Sequence, residues 1–275
     1  MEITAQDVAK LRKMTGAGMM DCKKALVEAN GDFEKAQDII REKGKMVAAK
    51  RADRATSEGA VIAKVSEDHK HGVLVCLGCE TDFVAATPDF KKLAEEVAEA
   101  AFKASAKDVE ALKSCKIGEY TVEEAISQQV GKSGEKHVLA CCYDLDAPYV
   151  SVYNHMNGKV SAIVAFNKEV PEEMGHEVAM QVTAMNPVSI SRNDCPKDVI
   201  DREMEVYRQE VKNEGKPEAM AERIAQGKLN KFFKERTLED QEFVRNEKMS
   251  VKDYMKSIDP EAKVVAFNRY NLNDD

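Results

Sequence analysis

Thiols are the side chains whose spacing in this sequence comes nearest to that of a reactive or metal-binding site. Cys76 and Cys79 form a C-x-x-C pair, and Cys141 and Cys142 are adjacent, so four thiolates could hold a zinc ion. However, Cys76 lies in an apolar run typical of a strand, where residues three apart and adjacent residues point to opposite faces. We therefore expect free, buried thiols, and a thiol or zinc enzyme is the alternative hypothesis.

Other catalytic signatures are absent from the sequence. It contains no G-x-x-x-x-G-K-[ST] or G-x-G-x-x-G loop, no G-x-S-x-G motif and no H-E-x-x-H motif. The histidines are scattered, and one of them, His155, occupies the tip of a predicted hairpin, where a partner could reach it. No pair of acids stands isolated in an apolar setting that would tune a general acid. These observations favour an interaction protein over an enzyme, with no metal and no cofactor.

The bulk composition limits the kind of partner. The net charge is −8 and the pI is about 5.4, which argues against broad nucleic-acid binding because that needs a basic surface. No window approaches the length of an apolar membrane span, and the N-terminus has neither a signal-peptide nor a transit-peptide pattern. We therefore expect a cytoplasmic protein that binds neither nucleic acid nor membranes.

An acidic residue beside an aromatic one lies between a predicted strand and a predicted helix. Residues 72–77 form the apolar run of the strand, and Thr87 with Pro88 marks the start of the helix. The short link between them contains Asp82 and Phe83, and links at strand ends are exposed and often functional. Phe83 could fold back onto the core or face a partner.

The elements that must position these residues begin with a compact N-terminal unit. Residues 1–44 are predicted to form a bundle of three short helices, the third of which ends at Gly44. A core of this size is marginal, so we expect the bundle to present a surface. Met19 and Met20 follow a glycine turn, and we expect one to pack inward and the other to face outward.

The pattern of elements then changes twice along the chain. Residues 45–58 are Ala-rich and locally basic with little to bury, which we interpret as a solvated linker whose start could continue the preceding helix. From residue 59 the order is strand, turn, strand, link, helix, and the same order returns in the second half. We therefore predict an α+β fold with two duplicated subdomains, residues 59–140 and 141–275, each with helices on a small antiparallel sheet.

The second subdomain contains a helical excursion over residues 199–233. Two amphipathic segments are separated by Gly215, Lys216 and Pro217, which predicts an antiparallel helical hairpin. One narrow apolar seam on each helix favours a protruding coiled coil, and a hairpin packed flat on the subdomain is the alternative. The seam residues are Ile200, Met204, Tyr207, Val211, Met220, Ile224, Leu229 and Phe232.

The duplication bears directly on the placement of Phe83. The corresponding link of the second subdomain, residues 167–173, contains no aromatic residue. The fold therefore does not need an aromatic side chain at this position, and a partner explains Phe83 better. This comparison favours an outward-facing Phe83.

Two stretches of the sequence closely resemble the motifs of a known family. Residues 15–26 and 28–32, T-G-A-G-M-M-D-C-K-K-A-L and E-A-N-G-D, resemble the N-terminal motif of bacterial elongation factor Ts. Residues 81–85, T-D-F-V-A, resemble the second motif of that family. The break at residues 215–217 and the subdomain duplication are also similar, so the resemblance covers nearly the whole chain.

The resemblance implies a guanine-nucleotide exchange factor of elongation factor Tu, the GTPase that carries aminoacyl-tRNA to the ribosome. It also implies that the N-terminal bundle is ubiquitin-associated-like and that no covalent chemistry takes place. The Asp82 and Phe83 pair would intrude into the GTPase, within a segment linked to magnesium dislocation. The residues implied by matching position are Thr81, Asp82, Phe83 and Val84 in that segment, Arg12, Met19 and Met20 in the bundle, and His155 in the second subdomain.

The sequence departs from the family pattern at two places. The turn after His155, residues 157–159, differs, and the chain ends soon after residues 267–270, where some members continue into a C-terminal helical module. A further hypothesis outside this family is an adaptor that binds a ubiquitin-like protein or a peptide through the N-terminal bundle alone.

Overall fold

A computed structural model describes residues 3–215 and 217–274. The structure is a mixed α+β arrangement, in which three N-terminal helices precede several small antiparallel sheets with their helices. Lys216, in the middle of the predicted break in the helical hairpin, lies outside the described residues. No helix in the described part of the chain is long and apolar enough to cross a membrane.

The N-terminal bundle consists of α1 (Ala5–Thr15), α2 (Met19–Glu28) and α3 (Phe33–Lys50). Thr4 caps α1, because its hydroxyl accepts a hydrogen bond from the Asp7 N–H while Asp7 accepts one from the Thr4 N–H. Gly16 ends α1 in the left-handed conformation, with a φ of 69°. The three helices enclose a small apolar core that contains Leu11, Cys22, Leu26, Ala36 and Ile40.

The first sheet and its helices follow the bundle. Its elements are β1 (Glu58–Val65), β2 (His71–Cys79), α4 (Asp82–Ala85), α5 (Pro88–Ala104), α6 (Val109–Ser114), β3 (Lys116–Ile117), β4 (Tyr120–Thr121), α7 (Val122–Ser133) and β5 (His137–Asp146). The antiparallel strands lie in the order β1-β2-β5. β5 crosses the predicted boundary at residue 140 and pairs with β2 as far as Asp146, and Pro148 supplies the break after it.

The third helix of the bundle extends into the segment predicted to be a linker, which is the alternative that the sequence left open. α3 does not end at Gly44 but continues to Lys50, so the first part of the predicted 45–58 linker is helical. Gly44 is buried against α7, where an added Cβ would collide with the carbonyl oxygen of Ser127. The glycine therefore permits a close helix crossing instead of ending a helix.

The second sheet has the same connectivity as the first. The elements of this part are β6 (Tyr149–Asn154), β7 (Val160–Phe166), α8 (Glu172–Met185), α9 (Lys197–Asn213), α10 (Glu218–Arg236), β8 (Glu242–Phe243), β9 (Asn246–Ser250), α11 (Val251–Ile258) and β10 (Val264–Asn271). The strand order is β10-β7-β6, so β10 is an edge strand. In both sheets a hairpin precedes a helix, and a later strand pairs with the second strand of the hairpin.

The two sheets pack against each other through one apolar face each. This shared layer contains Val61, Leu74, Cys76, Cys141 and Ile163. Helix α5 covers the other face of the first sheet, and α8 with α11 covers the other face of the second. The links and turns at the ends of the strands consequently remain at the surface, where they can meet a partner.

Helices α9 and α10 form the predicted antiparallel hairpin. Their seam buries Met204, Leu229 and Phe232, and the Arg208 guanidinium donates to both carboxylate oxygens of Glu222 at 2.8 and 3.0 Å. Met220 does not belong to this seam, although its spacing predicted it, because the first turn of α10 leaves its side chain exposed.

Candidate functional site

The four paired cysteines do not converge on one point. Cys76 and Cys141 face each other in the apolar layer between the sheets, whereas Cys79 and Cys142 face the layer beneath the helices. Burial raises the pKa of Cys76, Cys79 and Cys142 to about 12, so these thiols stay protonated at neutral pH. In residues 3–215 and 217–274, no group of three or more His, Cys, Asp or Glu side chains could hold a metal ion. These positions do not support a four-thiolate zinc site.

The link between β2 and α5 forms a short helix instead of an irregular loop. Thr81 caps α4 by accepting a hydrogen bond from the Val84 N–H at 3.4 Å. Thr87 caps α5 in the same way by accepting from the Phe90 N–H at 3.3 Å, with Pro88 as the first helical residue. Two threonine caps thus divide the link into one turn of helix and a new helix start.

Phe83 faces solvent, as the sequence predicted. Its side chain is 83% exposed, and Asp82 beside it is exposed as well, whereas Val84 packs partly against the core of the first sheet. By contrast, Phe90 on α5 is fully buried in that core. The one-turn helix therefore separates its side chains, with Val84 turned inward and Phe83 turned outward.

Two glutamates fix the base of the turn formed by residues 81–84. Glu135 accepts hydrogen bonds from the Thr81 N–H at 3.1 Å and from the Thr81 hydroxyl at 2.6 Å. Glu80 accepts from the Lys136 N–H at 2.7 Å and pairs with Arg51 at 2.7 Å. Burial alone would raise the pKa of Glu80, but these donors lower it below its ordinary value. The turn therefore projects Phe83 from a fixed base.

A shallow groove of about 450 Å³ lies beside α4. It is lined by Asp82 and Ala86, by the first part of β1, and by residues 156–159 at the tip of the β6–β7 hairpin. The Val61 N–H donates to the Gly158 carbonyl at 2.8 Å, which joins the hairpin tip to β1. The packing of the two sheets thus brings this hairpin tip to the same groove as Asp82.

His155 lies at that hairpin tip and is exposed. Its Nδ1 atom is 3.5 Å from the Tyr153 hydroxyl, and its ring contributes to a second, more apolar groove with Met180 and Val244. Sequence reasoning missed the neighbouring Met156, whose side chain is 96% exposed. The signal in the sequence that could have identified Met156 is its place as the single methionine within an otherwise polar turn.

The bundle residues Arg12, Met19 and Met20 are all exposed. The prediction that one methionine packs inward is wrong, because Met19 is 58% and Met20 is 64% exposed. Ala17, which is buried, fills the core position that precedes Cys22. Both methionines therefore present apolar surface to solvent, and thioether side chains adapt readily to partner surfaces.

The bundle is attached to the rest of the protein close to the start of α5. The aliphatic part of the Lys132 side chain, from the last turn of α7, packs over Gly16 in the turn between α1 and α2. The Lys132 ammonium lies 3.6 Å from a carboxylate oxygen of Asp89, in the first turn of α5. The turn that precedes Met19 is thus connected through one side chain to the helix that follows Phe83.

Comparison with known proteins agrees with the resemblance seen in the motifs. The family model described as "Elongation factor TS" matches residues 80–274. The chain is 48% identical to elongation factor Ts of Christiangramia forsetii over 98% of this chain and 99% of that protein. It is 44% identical to elongation factor Ts of Amoebophilus asiaticus over 98% of both chains, and 40% identical to that of Porphyromonas gingivalis over 100% of both. The chain therefore belongs to the elongation factor Ts family, the nucleotide exchange factors of elongation factor Tu in translation elongation, which are not enzymes.

Proposed function

We propose that this chain binds the GDP form of elongation factor Tu and inserts the Asp82 and Phe83 pair beside its magnesium site. The observation that supports this most is the 83% exposure of Phe83 on a turn whose base is fixed. A large aromatic side chain held in water can bury its apolar surface only against a partner. GDP then leaves, and the binding of GTP displaces the factor.

The physical basis of this proposal is the coordination chemistry of magnesium. Mg²⁺ requires near-ideal octahedral geometry and bridges the nucleotide to the GTPase. A small displacement of the GTPase segment that holds the ion spoils this geometry, although no covalent bond forms or breaks. The factor must then bind the nucleotide-free state best, and by reciprocity the nucleotide weakens the binding of the factor.

Two further surfaces are proposed to contact the same partner. Arg12, Met19 and Met20 would touch the GTPase from the bundle, and His155 would do so from the β6–β7 hairpin. Support comes from their exposure and from the groove that the hairpin tip shares with Asp82. Because Met156 lies next to His155 and is almost fully exposed, we add it to this contact surface.

We also propose a division of the chain into functional units. The bundle, ubiquitin-associated-like in arrangement, would comprise residues 1–50, followed by a linker of residues 51–57. This revises the predicted 1–44 bundle and 45–58 linker, because α3 reaches Lys50. The two duplicated subdomains would meet between β5 and β6, and the hairpin of α9 and α10 would protrude from the second.

Family membership supports a proposal for the cellular setting and for the class of partner. A factor that acts on elongation factor Tu would work in the cytoplasm, where translation takes place. Its partner is a protein, and the acidic balance of the chain argues against direct contact with nucleic acid. No cofactor takes part in the proposed exchange.

Release of a fluorescent GDP analogue from purified elongation factor Tu tests the proposal. The full chain should accelerate release in proportion to its concentration and then reach a maximum rate. An adaptor that acts through the bundle alone would leave release at its spontaneous rate. That outcome would contradict the proposed function.

A further inference from the structure

We propose that Glu135 is the positioning residue of the 81–84 turn, and that rapid exchange depends on its two hydrogen bonds to Thr81. The inference rests on the proposed function, in which this turn enters the GTPase. Glu135 lies outside both sequence motifs, in the segment between α7 and β5. It would act through Thr81 and would not itself touch the nucleotide site.

Helix α4 needs an external support because it is a single turn. It contains four residues, none of them buried, and a helix of this length does not hold its shape in water by itself. Val84 and Ala85 pack partly against the core of the first sheet, and the start of the turn depends on the Thr81 cap. The bond from the Val84 N–H to the Thr81 hydroxyl oxygen is long, at 3.4 Å. The cap is therefore weak unless the Thr81 side chain is fixed by another group.

The Glu135 carboxylate provides that second attachment. A threonine hydroxyl has one proton to donate, and Thr81 directs it to Glu135 Oε1 at 2.6 Å. This bond leaves an oxygen lone pair free for the Val84 N–H and sets the rotation of the side chain. The Thr81 N–H donates to Glu135 Oε2 at 3.1 Å, so one carboxylate binds both donors of the capping residue.

The backbone on either side holds Glu135 itself in place. Gly134 ends α7 in the left-handed conformation, with a φ of 72°, and the Glu135 N–H donates to the Ser133 hydroxyl at 3.2 Å. On the other side, the His137 ring Nε2 lies 3.3 Å from the same Ser133 hydroxyl. The carboxylate therefore extends from a closed backbone turn instead of a free loop.

The next residue extends the same support to the chain that leaves the bundle. The Lys136 N–H donates to Glu80, and the Lys136 ammonium donates to the carbonyl oxygens of Ala52 and Arg54 at 2.6 and 3.0 Å. Arg51 completes this arrangement by pairing with Glu80. Residues 135 and 136, which directly precede β5, thus hold both the 81–84 turn and the segment after α3.

Loss of this support should change the motion of the turn and leave the core intact. Glu135 is half-buried at the surface, and α4 contributes no buried residue, so removal of the carboxylate opens no cavity in the core. A turn that is free in solution must become ordered when it enters the partner. The entropy lost in ordering the backbone of one residue lowers the rate of this step about tenfold. The contact surfaces on the bundle and the hairpin stay unchanged.

The test compares Glu135→Ala and Glu135→Gln with Glu119→Gln, a control that removes the same charge from the exposed turn between β3 and β4. Release of fluorescent GDP is measured over a range of factor concentrations. Glu135→Ala should lower the maximum rate about tenfold and change the half-saturating concentration less than about twofold. Glu135→Gln, which keeps one acceptor oxygen, should recover part of the loss, and Glu119→Gln should match the original chain.

A second readout follows the turn directly, without the partner. The sequence contains no tryptophan, so Phe83→Trp introduces a single fluorescent reporter on α4. Time-resolved anisotropy of the free factor should show a more mobile indole when Glu135→Ala is added to Phe83→Trp. Addition of Glu119→Gln should leave the anisotropy decay unchanged.

The outcomes separate this inference from the function on which it rests. A reduced maximum rate, an unchanged melting temperature and a more mobile indole would together support it. If Glu135→Ala and Glu135→Gln stimulate GDP release at the original rate while Phe83→Ala stimulates it more slowly, only the role of Glu135 is overturned. Loss of rate in step with loss of melting temperature would also overturn it, because Glu135 would then act on folding. If the unaltered chain does not accelerate release, both proposals fail.

Discussion

Replacement of Phe83 by alanine should slow stimulated GDP release without weakening the fold. Phe83 is 83% exposed and α4 contains no buried residue, so the substitution leaves the core unchanged. Surface substitutions of this kind change the free energy of unfolding by about 0.5 kcal/mol or less. The same change at the fully buried Phe90 should cost about 3–5 kcal/mol of stability.

The expected loss of rate follows from the apolar surface that Phe83 can bury on docking. Full burial of a large apolar side chain contributes about 1.5–3 kcal/mol, and truncation of a central aromatic anchor costs about 2 kcal/mol or more. Because most of the Phe83 side chain starts in water, nearly the whole of this gain is available to the complex. Since 1.4 kcal/mol corresponds to a factor of ten, Phe83→Ala should slow stimulated release at least about tenfold.

Stopped-flow release of fluorescent GDP from elongation factor Tu measures this effect, with the melting temperature of each variant measured in parallel. Ile258→Ala is the matched control, because Ile258 is an exposed apolar residue at the end of α11, away from the groove beside α4. The Ile258→Ala variant should stimulate GDP release from elongation factor Tu at the rate of the unaltered chain. An unchanged rate for Phe83→Ala would refute insertion of this side chain, and a lowered melting temperature would refute the reasoning from its exposure.

Further predictions concern the bundle and the interior. Replacement of Met19 and Met20 together by alanine should raise the half-saturating factor concentration about tenfold at constant melting temperature, and an unchanged value in a titration would exclude this contact. Gly44→Ala should lower the melting temperature in calorimetry by about 3–10 °C. Gly131→Ala, whose added Cβ meets only ordinary contacts, should leave the melting temperature unchanged. Equal effects of the two substitutions would contradict the close helix crossing. Burial lowers the pKa of His137, so the unfolded chain binds a proton more readily than the folded chain does. The stability that comes from a neutral His137 is then fully present above a pH of about 6.5 and is lost as the pH falls below that value. The free energy of unfolding in urea should therefore fall less steeply with decreasing pH for His137→Gln than for the unaltered chain. The same dependence on pH in both proteins would argue against this.

The sequence predicted the elements around Phe83 because their signals are local. Thr87 and Pro88 mark the start of α5 wherever the helix packs, and the apolar run of β2 needs no knowledge of its neighbours. The outward direction of Phe83 was predicted mainly from the resemblance of residues 81–85 to the family motif. The second sheet supports it, because its corresponding link, residues 167–173, has no aromatic residue. Comparison of the two copies thus showed that the fold does not need an aromatic side chain in this link.

The features that sequence reasoning missed depend on contacts between distant segments. Gly44 has the composition of a helix end, and only the approach of α7 shows that it is a packing position. Ala17, in the turn before α2, lies in the bundle core, whereas the two methionines that follow it are both exposed. Glu135 resembles any surface glutamate until β5 pairs with β2 and brings it to Thr81. None of these relations has a fixed spacing along the chain.

Dependence on magnesium tests most directly the claim that the factor acts through the metal site of its partner. The measurement is the rate of fluorescent GDP release from elongation factor Tu at saturating factor, first with magnesium present and then with the ion chelated. The acceleration by the unaltered chain should be large with magnesium and should shrink when the ion is removed. The difference in release rate between the unaltered chain and Phe83→Ala should shrink as well. An acceleration, and a Phe83→Ala deficit, that are the same with and without magnesium would contradict the proposed mechanism.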